Sequence, residues 1–175
     1  MTAAETLAAS GRFSIAAGLT GDELTAIERE FGFTFAADHR DFLAAGVPTG
    51  RGWVDWRDPD RATLRERLAM PVEGVLFDVA ENSFWYGGWG PQPSDAGAAV
   101  TAARGYLMTV PRMIPVYSHR YLPAALAGQP VLSIYQTDVI HYGNDLLDWL
   151  NREFALGEPA GSMARPTVAF WRDLV

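Results

Sequence analysis

The feature that most limits the fold is the order in which two periodicities run along the chain. Apolar residues recur at helical spacing through the first part of the sequence, and short β-branched and aromatic runs cluster only after Arg112. Strands and helices do not alternate, so nothing suggests a parallel sheet. The order predicts an α+β fold, with a central, mostly antiparallel sheet and helices packed around it.

The helical part divides at its local signals. Thr20 and Glu23 have capping-box spacing ahead of a stripe of Leu24, Ile27 and Phe31, and Gly32 supplies a stop. A second helix is expected from about Asp38 to Ala45, burying Phe42 and Leu43. Trp53, Val54 and Trp56 read as a short strand or an aromatic loop. Asp58-Pro59 reads as an N-cap followed by Pro at the first helical position. A helix should run from there to about Met70, with Leu64 and Leu68 inward and Arg61, Arg65 and Arg67 on a solvated face. Val72, Val75, Leu76 and Val79 form another stripe after Pro71, and Glu81 to Pro91 is a polar and aromatic loop. Ser94 to Leu107 is helical in propensity. Asn144 is read as the cap of a last helix carrying Leu146, Leu147, Leu150 and Phe154.

Three runs make the sheet: Met113 to Tyr117, Val131 to Tyr135 and Val139 to Tyr142. Pro115 cannot donate a ladder hydrogen bond, so the first belongs at an edge or carries a bulge. The last two are spaced for a hairpin turning at Gln136-Thr137-Asp138, and the tail should dock through Phe170 and Trp171. Residues 1–18 show no clear period and read as a lead-in helix or loop, ahead of one domain over 19–175.

Composition bounds what such a domain can do. Its 175 residues suit one core, and the absence of cysteine excludes disulfides, thiolate metal sites and a cysteine nucleophile. The formal net charge of −7 disfavours attraction to nucleic acid or anionic lipid and makes a basic partner the natural complement. No apolar run approaches the roughly 18 residues of a membrane span, and the start lacks the basic region of a secretory signal. A cytoplasmic protein is expected.

Catalytic patterns are sparse. Gly87-Gly88-Trp89-Gly90 lacks the Lys-Ser/Thr ending of a phosphate loop, and no serine has the Gly-x-Ser-x-Gly setting of a hydrolase. Ser118 and His119 are neighbours in sequence, which does not place their side chains in contact. His119 and His141, with Asp138 and Asp145, are the residues that could hold a metal, but unpatterned histidines are more often structural. No metal and no cofactor is expected. The pairs Asp58 with Asp60 and Asp145 with Asp148 sit where helix N-termini favour negative charge.

The aromatic residues say more. Trp53, Trp56, Phe84, Trp85, Tyr86 and Trp89 fall in loops or at loop edges, where rigid aromatics anchor protein interfaces. Carboxylates stand beside them, Asp78 and Glu81 at the aromatic loop and Asp138 at the hairpin. The expected partner-binding set is therefore Asp78, Glu81, Trp85, Tyr86, Trp89 and Asp138, with Trp85 or Trp89 partly exposed beside Tyr86.

Three stretches carry a resemblance to a known family: Gly74-Val75-Leu76-Phe77-Asp78-Val79 with Phe84-Trp85 and Trp89-Gly90-Pro91; Ile114 to Pro123; and Tyr135 to Leu146. Together with the leading helical pair they resemble the SUKH superfamily, in its Smi/Knr-type branch, over residues 19 to about 154. Gln92 stands where that pattern would place a basic residue. The resemblance implies a helix-wrapped antiparallel sheet and a protein-binding role without catalysis. Many bacterial members are immunity proteins that neutralise toxins, often nucleases, which here would mean a basic toxin domain as partner. Other members are regulators, so an intracellular regulator or scaffold is the alternative, and a metal-dependent hydrolase centred on His119 and His141 is the remote one.

Overall fold

The computed structural model describes residues 1–175 and has the α+β order, six helices around two antiparallel sheets. In chain order these are α1 (Ala3–Ala9), β1 (Ser14–Ala16), α2 (Gly21–Phe31), α3 (Ala37–Ala45), β2 (Val47–Thr49), α4 (Arg61–Glu81), α5 (Ala96–Leu107), β3 (Met113–Tyr117), β4 (Arg120–Pro123), β5 (Val131–Tyr135), β6 (Asp138–Gly143) and α6 (Leu146–Phe154). β1 pairs with β2, and the other four strands form a meander in the order β3-β4-β5-β6. No helix is long and apolar enough to cross a membrane.

Alternation along the strands sends side chains into two cores. Ile114, Val116, Leu122 and Val131 pack on one face with residues of α2, α3 and α6, among them Ile27, Phe42 and Trp149. Met113, Tyr121, Leu132, Ile134 and Val139 pack on the other with α5, the far half of α4 and the C-terminal Val168, Phe170 and Trp171. Coverage of both faces explains why the strands read as nearly continuous apolar runs.

Several expectations need correction. α4 does not stop at Met70 but runs through the buried Pro71, because Leu64 and Leu68 anchor one half in the first core and Val75, Leu76 and Val79 anchor the other half in the second. Packing at both ends outweighs the roughly 3 kcal/mol that an interior proline costs. Its N-cap is Asp60, not Asp58, and the cap of α6 is Asp145, not Asn144. β4 adds a fourth strand to the three expected; its start at Arg120 interrupts the apolar run. Arg67 is not on a solvated face; it donates to the carbonyls of Gly52, Trp53 and Ser118, each at 3.0 Å, tying two loops to α4. Arg61 and Arg65 do lie outward, both beside Glu30.

Pro115 lies on the edge strand β3, and the register also shifts between Pro115 and Tyr117. The hairpin turn is two residues, since Tyr135 pairs with Asp138. Residues 1–18, read as a lead-in, hold α1 with its own Thr2/Glu5 capping box and β1, and Leu7 is buried in the first core.

Candidate functional site

The six residues expected to bind a partner divide into two groups. At the hairpin, Asp78 is 4% exposed and is spent on structure: Thr137 and Asn82 donate to its two oxygens. Burial pushes its carboxyl up, and these hydrogen bonds outweigh that and hold it below the usual range. Asp138 is exposed one residue beyond Thr137, and Glu81 is exposed at the end of α4. The aromatic group surrounds Trp89, which is 5% exposed and stacked between Tyr106 and Phe170, centroids at 5.8 and 5.5 Å. Trp85 and Tyr86 remain half-buried; Trp85 Nε1 donates to the Gly90 carbonyl at 2.7 Å and the Tyr86 hydroxyl to Asp173 at 2.6 Å.

Asp78 and Trp89 therefore leave the expected binding surface, one as a buried clamp and the other as core. Trp53 and Trp56 are buried as well. Glu81, Trp85, Tyr86 and Asp138 keep access to solvent.

The histidines go separate ways. His119 lies in the β3–β4 turn and His141 on β6, where its Nε2 lies 3.2 Å from the Gly143 carbonyl. No three metal-ligating side chains converge anywhere in the chain. Ser118 Oγ does reach His119 Nδ1, at 3.2 Å, a contact that adjacency in sequence does not by itself dictate. Ser118 has a positive φ of 45° at this turn. The pair has no carboxylate hydrogen-bonded to the other ring nitrogen, the orienting group that a Ser–His nucleophile uses.

A concavity lies elsewhere, where the starts of α1 and α6 meet one face of α3 and Gly128. It is a groove of about 610 Å³, within the usual range for binding sites. Phe42, Leu146 and Leu147 give it an apolar floor, and Glu5, Asp38, Asp41 and Asp145 stand around it with no arginine or histidine among its lining residues. Local folding rules place these acids. Glu5 closes the capping box with Thr2, Asp145 caps α6 through the Asp148 N–H at 2.8 Å, and Asp38 accepts from Gly128 N–H at 3.0 Å. Asp41 makes no hydrogen bond and is exposed.

Two helix starts, those of α1 and α6, face this groove, each worth about half a positive charge. Their sum, roughly 1, does not cancel four carboxylates. The groove stays negative. None of the six expected binding residues lines it; the signal that could have found it is the spacing of Asp38, Asp41, Phe42 and Ala45 on one face of a short helix. Comparison with protein-family models, curated proteins and solved structures finds no match.

Proposed function

We propose that this chain is a non-enzymatic protein-binding module, an immunity protein that neutralises a toxin by seating a basic, partly apolar segment of it in the α1/α3/α6 groove. The observation that carries the reading is the groove itself, a 610 Å³ apolar-floored channel ringed by four carboxylates and free of cationic side chains. An apolar anchor inside a charged rim is the division of labour of a specific interface. The arginines reinforce it. All but Arg29, Arg51 and Arg165 are tied by side-chain hydrogen bonds or ion pairs to the chain's own carbonyls, hydroxyls or acids, for example Arg57 to Glu23 and Arg120 to Glu153. The SUKH resemblance supplies the biological role, and a nuclease toxin supplies the basic surface. That role places the protein in the cytoplasm of the cell it protects.

The test is affinity capture followed by salt challenge. The wild type should retain a basic protein that is released as added salt shortens the Debye length from about 10 Å to about 3 Å. A double variant, Asp41→Arg with Leu147→Glu, should lose it, and Glu81→Lys should not. The reading fails if the double variant holds the same protein equally well.

A further inference from the structure

Helix α1 fits loosely on the surface that holds it. The groove opens beside its first turn, at Thr2, Ala3, Ala4 and Glu5, and a smaller hollow of about 160 Å³ lies beside its last turn, among Leu7, Ala8, Ile15, Phe42 and Pro48. Ala4, Glu5, Phe42 and Ala45 line both, so the two hollows adjoin. Most of α1 is alanine. Side chains that end at Cβ do not reach into either hollow, and apolar wall left without partner atoms forfeits dispersion attraction.

Its hold on the rest of the chain is light. Leu7, 1% exposed, is its one large apolar side chain and joins the first core. No hydrogen bond connects residues 1–11 to anything beyond Arg12, and the capping box of Thr2 and Glu5 closes on itself. α1 contains no basic residue, and Glu5 stands on the same rim as Asp38, Asp41 and Asp145. The helix therefore adds like charge to a surface that is already negative. Gly11, at φ 62° with open space around it, joins α1 to Arg12, whose guanidinium donates to the Phe154 carbonyl. A permissive joint thus separates α1 from a fixed point of the body.

We infer that α1 is a displaceable occupant of the binding surface, which a basic amphipathic helix of the partner replaces. α1 itself shows that this surface of α3 and α6 accepts a helix. The incoming helix sets an apolar side chain where Leu7 lies, bulkier ones than Ala4 and Ala8 in the two hollows, and a lysine or arginine in place of Glu5, opposite the rim carboxylates. The inference rests on the groove's binding a basic, partly apolar segment; it adds that the segment is helical and that α1 leaves to admit it. Affinity is then reduced by the small fraction of chains in which α1 is open, so changes in α1 tune it.

The probe is a peptide, blocked at both ends, that copies Thr2–Ser10 with Ala4→Leu, Glu5→Lys and Ala8→Leu. It is added to the ¹⁵N-labelled full chain while amide hydrogen exchange is followed. At saturation, exchange at Leu7 and Ala8 of the chain should quicken by about tenfold or more, while exchange at Asp41 and Phe42 slows. In the full chain, Ala8→Leu fills the smaller hollow from the side of α1 and should weaken peptide binding about tenfold, and Leu7→Ala should strengthen it by as much. Ala8 is exposed, so the first variant keeps its fold even where Leu7→Ala does not. Protection at Asp41 and Phe42 with slower or unchanged exchange at Leu7 and Ala8, or an Ala8→Leu chain that binds as tightly as the wild type, would overturn displacement and leave the groove as a site beside α1. No change at any of the four amides would overturn the groove reading as well. Exchange at Leu7 and Ala8 that quickens with protein concentration in the absence of peptide would make a second copy the occupant and sink the inference too.

Discussion

Asp78 on α4 holds the β5–β6 turn through Thr137: its Oδ2 accepts from the Thr137 backbone N–H at 2.9 Å and from the Thr137 hydroxyl at 2.6 Å. One turn earlier on the helix, Gly74 lets the backbone of the turn come close, since a Cβ there would lie 2.9 Å from the Gln136 Cα. Helix and hairpin are thus joined by a bare patch and a charged clamp.

Asp78→Ala should destabilise the protein by about 2 to 3 kcal/mol, because a buried acceptor with charge-assisted bonds is lost and the Thr137 donors are left behind. Urea unfolding measures it. Because the Asp78 carboxyl is held below its ordinary range, its contribution is present above the unfolded value and is lost as pH falls through the depressed one. Charge reversal here would report on folding, not on recognition.

His39 gives a second pH dependence. It is buried against Phe35 and Trp56, neither ring nitrogen has a partner, and burial lowers its pKa from 6.5 to about 3. The unfolded chain therefore binds a proton that the folded chain refuses. Stability contributed by neutral His39 is complete above about pH 6.5 and falls by about 1.4 kcal/mol per unit as pH drops toward 3. His39→Leu should flatten the unfolding free energy between pH 6.5 and 4.5 relative to wild type. Equal slopes in the two proteins would show that His39 is not the group responsible.

Trp89 and Trp85 should part company on truncation. Trp89→Ala empties the space between Tyr106 and Phe170 and should cost about 3 to 5 kcal/mol. Trp85→Ala loses a half-exposed ring and one hydrogen bond, at about 1 kcal/mol. Thermal unfolding of the two variants, side by side, checks the order.

Arg67→Met keeps the aliphatic stem of the side chain and removes the donor that three carbonyls share. A loss of about 3 kcal/mol is expected. Faster amide exchange near Gly52 and Ser118, with β6 unaffected, would locate the damage in the two loops that Arg67 ties together.

What was legible in the sequence was what a few neighbouring residues decide. Thr20 and Glu23 form the capping box that their spacing announces, Gly32 takes the left-handed φ of 68° that a helix stop needs, and the lack of an N–H on Pro115 suits it to an edge. The same local rules set Glu5, Asp38 and Asp145 at the caps or first turns of their helices, though nothing local says that those helices converge. Convergence, and with it burial, was decided only by the tertiary structure. Trp89 reads as a loop aromatic until Phe170, far along the chain, closes over it. Asp78 reads as a rim charge until a hairpin 59 positions away brings Thr137 to it. Arg67 reads as solvated until two separate loops present their carbonyls. Caps and turns depend on sterics and hydrogen bonds within one turn of chain, which sequence spacing records; whether a side chain meets water or protein depends on which distant surfaces pack together, which no local period encodes.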